Sequence, residues 1–360
     1  AMTGGYHNGV AIGFNAMKGS TRNGENIAIG AYAMDGTITN ASCTQNIAIG
    51  TRSMSGALAG YHNTAVGDGT MQVATSTFDS TALGFNALND LTTGDNNTAV
   101  GSGALAANTT ATANTAVGFS AGLALTTGHQ NVAVGAYAGQ LWTDDNAKTA
   151  IGYAALASDY STDGATAVGY QALYYNSTGG ENCAVGRQAL FANTTGSSNT
   201  SIGTYAGDVT TTGSNNTSLG YNSDPSALDA SNEVVLGNSS NDTLRCNTQT
   251  ISTLSDVRDK QNIEELPLGV EFINTLRPVK FDWNRRDGTM RGVKEIGFVA
   301  QELDKAQQNA DAEEYMRLVL KANPDRLEAT YGKLVPILTK AIQELSAEVE
   351  QLKSQIDENN

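Results

Sequence analysis

The chain has little of what an ordinary globular enzyme is built from. Its 3 cysteines, Cys43, Cys183 and Cys246, are far apart and odd in number, so they give neither a CxxC ligand pair nor a closed disulfide framework. Its 3 histidines, His7, His62 and His129, all precede residue 130. The last third of the chain therefore has no histidine for a Ser-His-Asp triad or a histidine metal site, and no metal or cofactor is expected anywhere. No apolar run approaches the ~18 residues needed to cross a bilayer, so no membrane insertion is expected. Basic residues are scarce as well. Residues 1 to 240 carry 5 Lys/Arg against 15 Asp/Glu, and residues 241 to 360 carry 16 against 21, giving −10 and −5. Neither part has the basic footprint of a nucleic-acid or anionic-membrane binder.

Glycine, by contrast, is placed with a period. A glycine follows a three-residue apolar run fourteen times, at Gly13, Gly30, Gly50 and then every 17 residues from Gly67 to Gly237. Twelve of the thirteen intervals are 17 residues and the one from Gly30 to Gly50 is 20, so the unit is a stacked repeat rather than a globular core. The consensus is Asn-Thr-Ala-Val-Gly, and its period-two alternation predicts a short strand with branched residues on one face and Ala on the other. After the glycine, pairs such as Ala87-Leu88 and Ala172-Leu173 predict a second short strand, and the remaining Thr, Asn, Ser, Gly and Asp predict a polar loop. Fourteen coils at ~4.8 Å each predict a rod of roughly 65 Å. We expect a thin core of branched side chains and a small Ala face open to a neighbouring chain, hence a parallel β-solenoid stabilised by association. Cys183 stands in the Thr/Val position of a repeat and is expected to be a small buried residue. Triplets such as Asn96-Asn97-Thr98 arise from the repeat rather than from selection for glycosylation.

Charged residues rise from 20 in the first 240 positions to 37 in the last 120, which marks a domain boundary near residue 240. Beyond it the pattern becomes mixed α/β. Pro267 with Val270, Ile273 and Leu276 predicts a short helix. Val279, Phe281 and Trp283 predict a strand ending in a turn at 284–288. Residues 295–298 predict another strand, 300–308 a helix and 315–320 a third strand. The clearest element is the last. Val335, Leu338, Ile342, Leu345, Val349, Leu352 and Ile356 alternate spacings of three and four, a coiled-coil seam in a helix over about 335–358.

Two resemblances follow from these motifs. Asn63 to Gly67 and Thr166 to Leu173 resemble the head repeats of trimeric surface adhesins, which also occur in bacteriophage tail fibres, and residues 232–238 are similar to the head-to-neck transition of such proteins. This implies a left-handed β-roll with three chains side by side, although the unit here is longer and its loop lengths do not carry over. Ser255-Asp256-Val257-Arg258-Asp259-Lys260-Gln261-Asn262-Ile263, with residues 296–303 and 341–345, resembles the S74 peptidase family, the intramolecular chaperone domain of phage tailspikes and tail fibres. That resemblance implies a domain that folds three chains together and then cuts itself off, with Ser255 and Lys260 as the catalytic pair and the cut between Leu254 and Ser255. Lys260 can act as the base once the cation Arg258, or burial at an oligomer interface, drives it to the neutral amine. Branched residues at a with Leu at d suit two-stranded coils, so the expectation of three chains rests on the solenoid and the resemblance.

The organisation expected is thus a trimeric left-handed β-roll at 1–237, a neck at 238–254 and a small α/β chaperone domain at 255–360. The function expected is a homotrimeric tail fibre or tailspike segment of a virion that meets a glycan or protein receptor on a host. The inserted stretch 35–45, Leu141-Trp142 and Tyr174-Tyr175 are the expected contact loops. A bacterial cell-surface adhesin head is the first alternative, though it should end in a membrane-anchoring barrel. A glycan-degrading tailspike is the second, but the acids Asp144, Asp145, Asp159 and Asp163 form no repeated pair of the kind glycoside hydrolysis needs. The Ala1-Met2 opening is read as the start of a piece, with further domains expected upstream.

Overall fold

The computed structural model describes residues 8–20, 24–36, 43–56, 59–160, 164–241, 244–245, 255–286, 290–321, 323–325 and 327–358. The chain divides into two units, Ala1–Asn238 and Ser239–Asn360.

In the first unit every glycine-ended run forms a three-residue strand, from β1 (Val10–Ile12) to β14 (Val234–Leu236). The fourteen strands pair in sequence order as one parallel sheet. Register is residue for residue, with Thr98 beside Thr115, Ala99 beside Ala116 and Val100 beside Val117. The result is a mainly β parallel solenoid. The glycine frame has two causes. At Gly101 φ is +134°, a conformation essentially reserved for glycine, and a Cβ there would lie 2.3 Å from the carbonyl oxygen of Gly118.

The faces of the strand are the reverse of the expectation. The central Ala points inward and is fully buried, as at Ala99 and Ala116. The flanking Thr and Val or Ile point outward and are half-buried or exposed. A coil this narrow admits only a methyl group beneath the strand. The branched residues, not the alanines, therefore form the outward face of the sheet. Cys183, on that outward face, is half-buried rather than buried.

The expected second strand is a turn. The residues at the second and fourth positions after the glycine both take left-handed backbone, as at Asn86 (φ 54°) and Leu88 (φ 49°), so the segment cannot extend. Left-handed backbone costs a bulky residue about 1–2 kcal/mol, and burying a Leu offsets this with about 1.5–3 kcal/mol. Leu88, Leu105, Leu173 and Leu190 are indeed fully buried. The turns still bond from coil to coil, with the N–H of Leu88 donating to Ala104 O at 3.0 Å. The core is thus Ala, Leu and Met rather than branched side chains.

A third interior column is polar. An Asn precedes nine of the fourteen strands and is buried there, and its amide joins the coils. Asn114 donates through Nδ2 to Asn97 Oδ1 (3.2 Å) and Gly128 O (2.9 Å), while its Oδ1 accepts from the N–H of Asn131 (2.9 Å). Satisfying every such group is what permits a polar column inside the solenoid.

The second unit contains α1 (Val270–Thr275), β15 (Val279–Asp282), β16 (Lys294–Gly297), α2 (Ala300–Asn309), α3 (Glu313–Met316), β17 (Val319–Leu320), β18 (Glu328–Ala329) and α4 (Leu334–Glu358). β15 and β16 pair antiparallel, as do β17 and β18. The strand expected over 315–320 begins instead as a helical turn, α3, closed by Arg317 in left-handed backbone, and only its end is β17. Phe272, Leu303, Met316, Leu318 and Ile337 form the core. α4 contributes Leu334, Ile337 and Ala341 to it, and beyond Ala341 none of its described residues is buried.

Candidate functional site

The segment from Ser255 to Lys260 is shaped by one acidic cap. Asp256 accepts the backbone N–H of Arg258 at 2.9 Å and starts a single helical turn, Val257–Asp259, closed by the N–H of Lys260 donating to Val257 O at 3.2 Å. That turn brings the fifth residue back onto the first. Lys260 Nζ donates to Ser255 Oγ at 2.7 Å. Both side chains are exposed on the single chain. Leu254, on the other side of the expected cut, lies outside the described residues.

Arg258 pairs with the capping acid. Its guanidinium is engaged by Asp256, with Nε 3.0 Å from Oδ1 and Nη2 2.5 Å from Oδ2. This contact holds the Asp256 carboxyl below its usual range and raises Arg258. A cation paired so closely exerts little net field on a neighbour. Chemically, the pair offers a hydroxyl nucleophile and a primary amine within hydrogen-bond reach, the minimum for nucleophilic attack with a lysine base.

The other residues singled out from the sequence fall elsewhere. His62 is an exposed loop residue between Asp79 (3.0 Å) and Gln45 (2.8 Å), and His129 bonds Thr112 at 3.0 Å. His7, Cys246, Asp163 and most of the insert at 35–45 lie outside the described residues. Trp142 is fully buried and cannot meet a receptor, because its ring fills the interior against Gly139. Tyr175 is exposed and packs with Tyr174 and Phe191 at centroid distances of 4.8 and 5.0 Å. No group of three or more His, Cys, Asp or Glu side chains fit to hold a metal occurs among the described residues. No helix among them is long and apolar enough to cross a membrane.

Two acids that looked scattered do meet. Asp145 and Asp159 approach one another from successive coils around Lys148, and all three are fully buried, so they cannot serve as the exposed carboxylates of a glycan hydrolase. The sequence held a signal for this cluster: Lys148 occupies the strand-starting position filled by Asn114 and Asn131 in the coils before it.

Residues 255–312 match the family model Peptidase_S74, described as chaperone of endosialidase. The match opens on Ser255. Neither the curated proteins nor the solved structures contain a match to the chain. An S74 chaperone segment following a parallel β-solenoid fits a tail fibre-like or tailspike-like protein.

Proposed function

We propose that the chain is a segment of a homotrimeric attachment fibre of a phage virion, whose C-terminal domain guides three chains into register and then removes itself by cutting at Leu254-Ser255. The observation that carries this reading is the 2.7 Å bond from Lys260 Nζ to Ser255 Oγ at the first residue of the matched segment. Lys260 takes the proton of Ser255 while Oγ attacks the carbonyl carbon of Leu254. The Leu254–Ser255 C–N bond breaks, the proton passes to the departing amine, and water hydrolyses the resulting ester. A nucleophile held beside its target removes roughly 7–11 kcal/mol of barrier. On the single chain both groups face solvent, so packing of a neighbouring chain over Lys260 is the step that switches cutting on.

Two exposed apolar surfaces support association. On the solenoid the residues flanking the glycine, such as Leu83 and Phe85, Val117 and Phe119, and Leu219 and Tyr221, are exposed along the outward face. Apolar surface arranged in this way marks an interface. On α4 the whole seam from Val335 to Ile356 is exposed. Parallel solenoid pairing is slow and leaves edges unpaired while it forms, and a domain that gathers the chains early raises their local concentration. Tyr174, Tyr175 and Phe191 are the surface group best suited to a receptor, glycan or protein.

Freshly expressed protein resolved on a gel and by mass tests the reading. The expected products are fragments of 254 and 106 residues (360 − 254), with Ser255 as the new N-terminus. A new terminus elsewhere, or a chain that stays whole as a stable trimer, overturns it.

A further inference from the structure

Among the described residues the solenoid interior carries one charged cluster, and its geometry resembles a reaction site more than a structural pair. Lys148 sits in the Asn column, its backbone N–H donating to Asn131 Oδ1 at 3.0 Å. Its Nζ contacts Asp145 Oδ1 and lies 2.8 Å from Asp159 Oδ2. Each carboxylate is held by its remaining oxygen. The N–H of Thr143 donates to Asp145 Oδ2 at 2.9 Å, and Asn176 Nδ2 donates to Asp159 Oδ1 at 3.0 Å. The Trp142 ring covers the amine, its centroid 5.9 Å from Nζ. Two carboxylates and one ammonium in a dry interior leave an excess negative charge, which a shared proton removes. Burial raises Asp145 accordingly.

These positions place an amine against the carboxyl carbon of Asp159, an amide donor on the oxygen where negative charge would develop, and a second carboxyl able to carry protons. We propose that Lys148 and Asp159 condense into an intramolecular amide that ties one coil covalently to the next, with Asp145 as the proton-transfer residue. Once the shared proton lies on the Asp159 carboxyl, the Asp145 carboxylate receives a proton from the Lys148 ammonium. The freed amine attacks Asp159 Cγ, and Asn176 Nδ2 supports the oxygen as the tetrahedral centre forms. Asp145 passes its proton to the departing oxygen, which already carries the shared proton, so that the C–O bond breaks and one water leaves. Asp145 then takes the surplus proton of the attacking nitrogen, and overall ammonium and carboxylate become amide and water. Removal of two buried charges favours the amide in such surroundings, and fixed proximity supplies the rate. The bond would be an added covalent clamp near the middle of the repeat.

The mass of the intact chain, or of the released solenoid fragment, tests this without any variant. The expected value is one water below the sequence mass, with the peptides bearing Lys148 and Asp159 recovered as a branched pair after digestion. Lys148→Arg keeps the charge but cannot form the amide, and it is expected to restore the full mass. A wild-type mass equal to the sequence overturns the proposal. So does a water loss mapped to an aspartyl-glycyl step such as Asp35-Gly36, to Asp145 instead of Asp159, or retained in Lys148→Arg. Should Lys148→Arg fail to fold, the wild-type mass and branched peptide decide alone.

Discussion

Asp256 governs whether Ser255 and Lys260 meet, because the turn it caps folds the lysine back. Ser255→Ala and Lys260→Ala are each expected to give uncut chains of full length. Asp256→Ala should only slow cutting, by about fivefold, the equivalent of a lost cap at about 1 kcal/mol. A time course of fragment release separates these outcomes. A second expectation concerns Cys43, whose buried thiol is pushed up from 9.0 to about 11, against the opposing hydrogen bond from Asn46. An unfolded chain ionises this thiol from pH 9.0, whereas the folded chain holds the proton to about 11. Stability is therefore untouched below 9.0 and falls as the pH climbs towards 11. The full effect is on the order of 3 kcal/mol. Denaturant titrations of wild type and Cys43→Ala should differ by a constant packing loss below that window, and the difference should shrink towards its alkaline end. The nearness of Ser255 and Lys260 was legible only through a family resemblance, since spacing alone does not specify a turn. The Lys148 cluster was missed because its partners arrive from different coils, and Trp142 was misplaced because an aromatic in a loop sequence gives no sign of pointing inward.

Among the elements, the glycine corners are the least replaceable. Gly101→Ala meets both the +134° backbone and the Gly118 carbonyl, whereas Gly103→Ala, at φ +69° with its nearest atom at 3.5 Å, meets only an unfavourable backbone. The first is expected to cost at least about 2–3 kcal/mol and the second about 1 kcal/mol, distinguishable by their thermal unfolding midpoints. This contrast also explains what could be read in advance. A backbone that only glycine tolerates writes itself directly into the sequence, so the coil frame was plain. Period-two alternation states that a strand has two faces without saying which is buried, and the answer depends on the width of the coil. The segment Ala87-Leu88 looked extended for the same reason: its left-handed turns are held by core burial, not by local preference. The α4 seam was legible because an uninterrupted heptad needs no tertiary context.

At the scale of the molecule, α4 separates folding from assembly. Ile337 faces its own domain at 2% exposure, while Ile342 is 63% exposed on the seam. Ile342→Asp is expected to keep the domain folded yet abolish association, as light scattering and circular dichroism would show, whereas Ile337→Asp should unfold the domain itself. The same stack poses a problem of counting. A column of near-identical coils offers each chain almost equal satisfaction at every 17-residue offset from its neighbours, so the ladder of Thr, Ala and Val carries no information about which rung is which. The irregular rungs can act as landmarks, among them the 20-residue interval after Gly30 and the coils whose Asn is replaced by Ser80, Lys148 or Ala165. In the proposed trimer, chains that began one rung out of step would bring those landmarks opposite ordinary coils, and the mismatch would mark the error before assembly was complete.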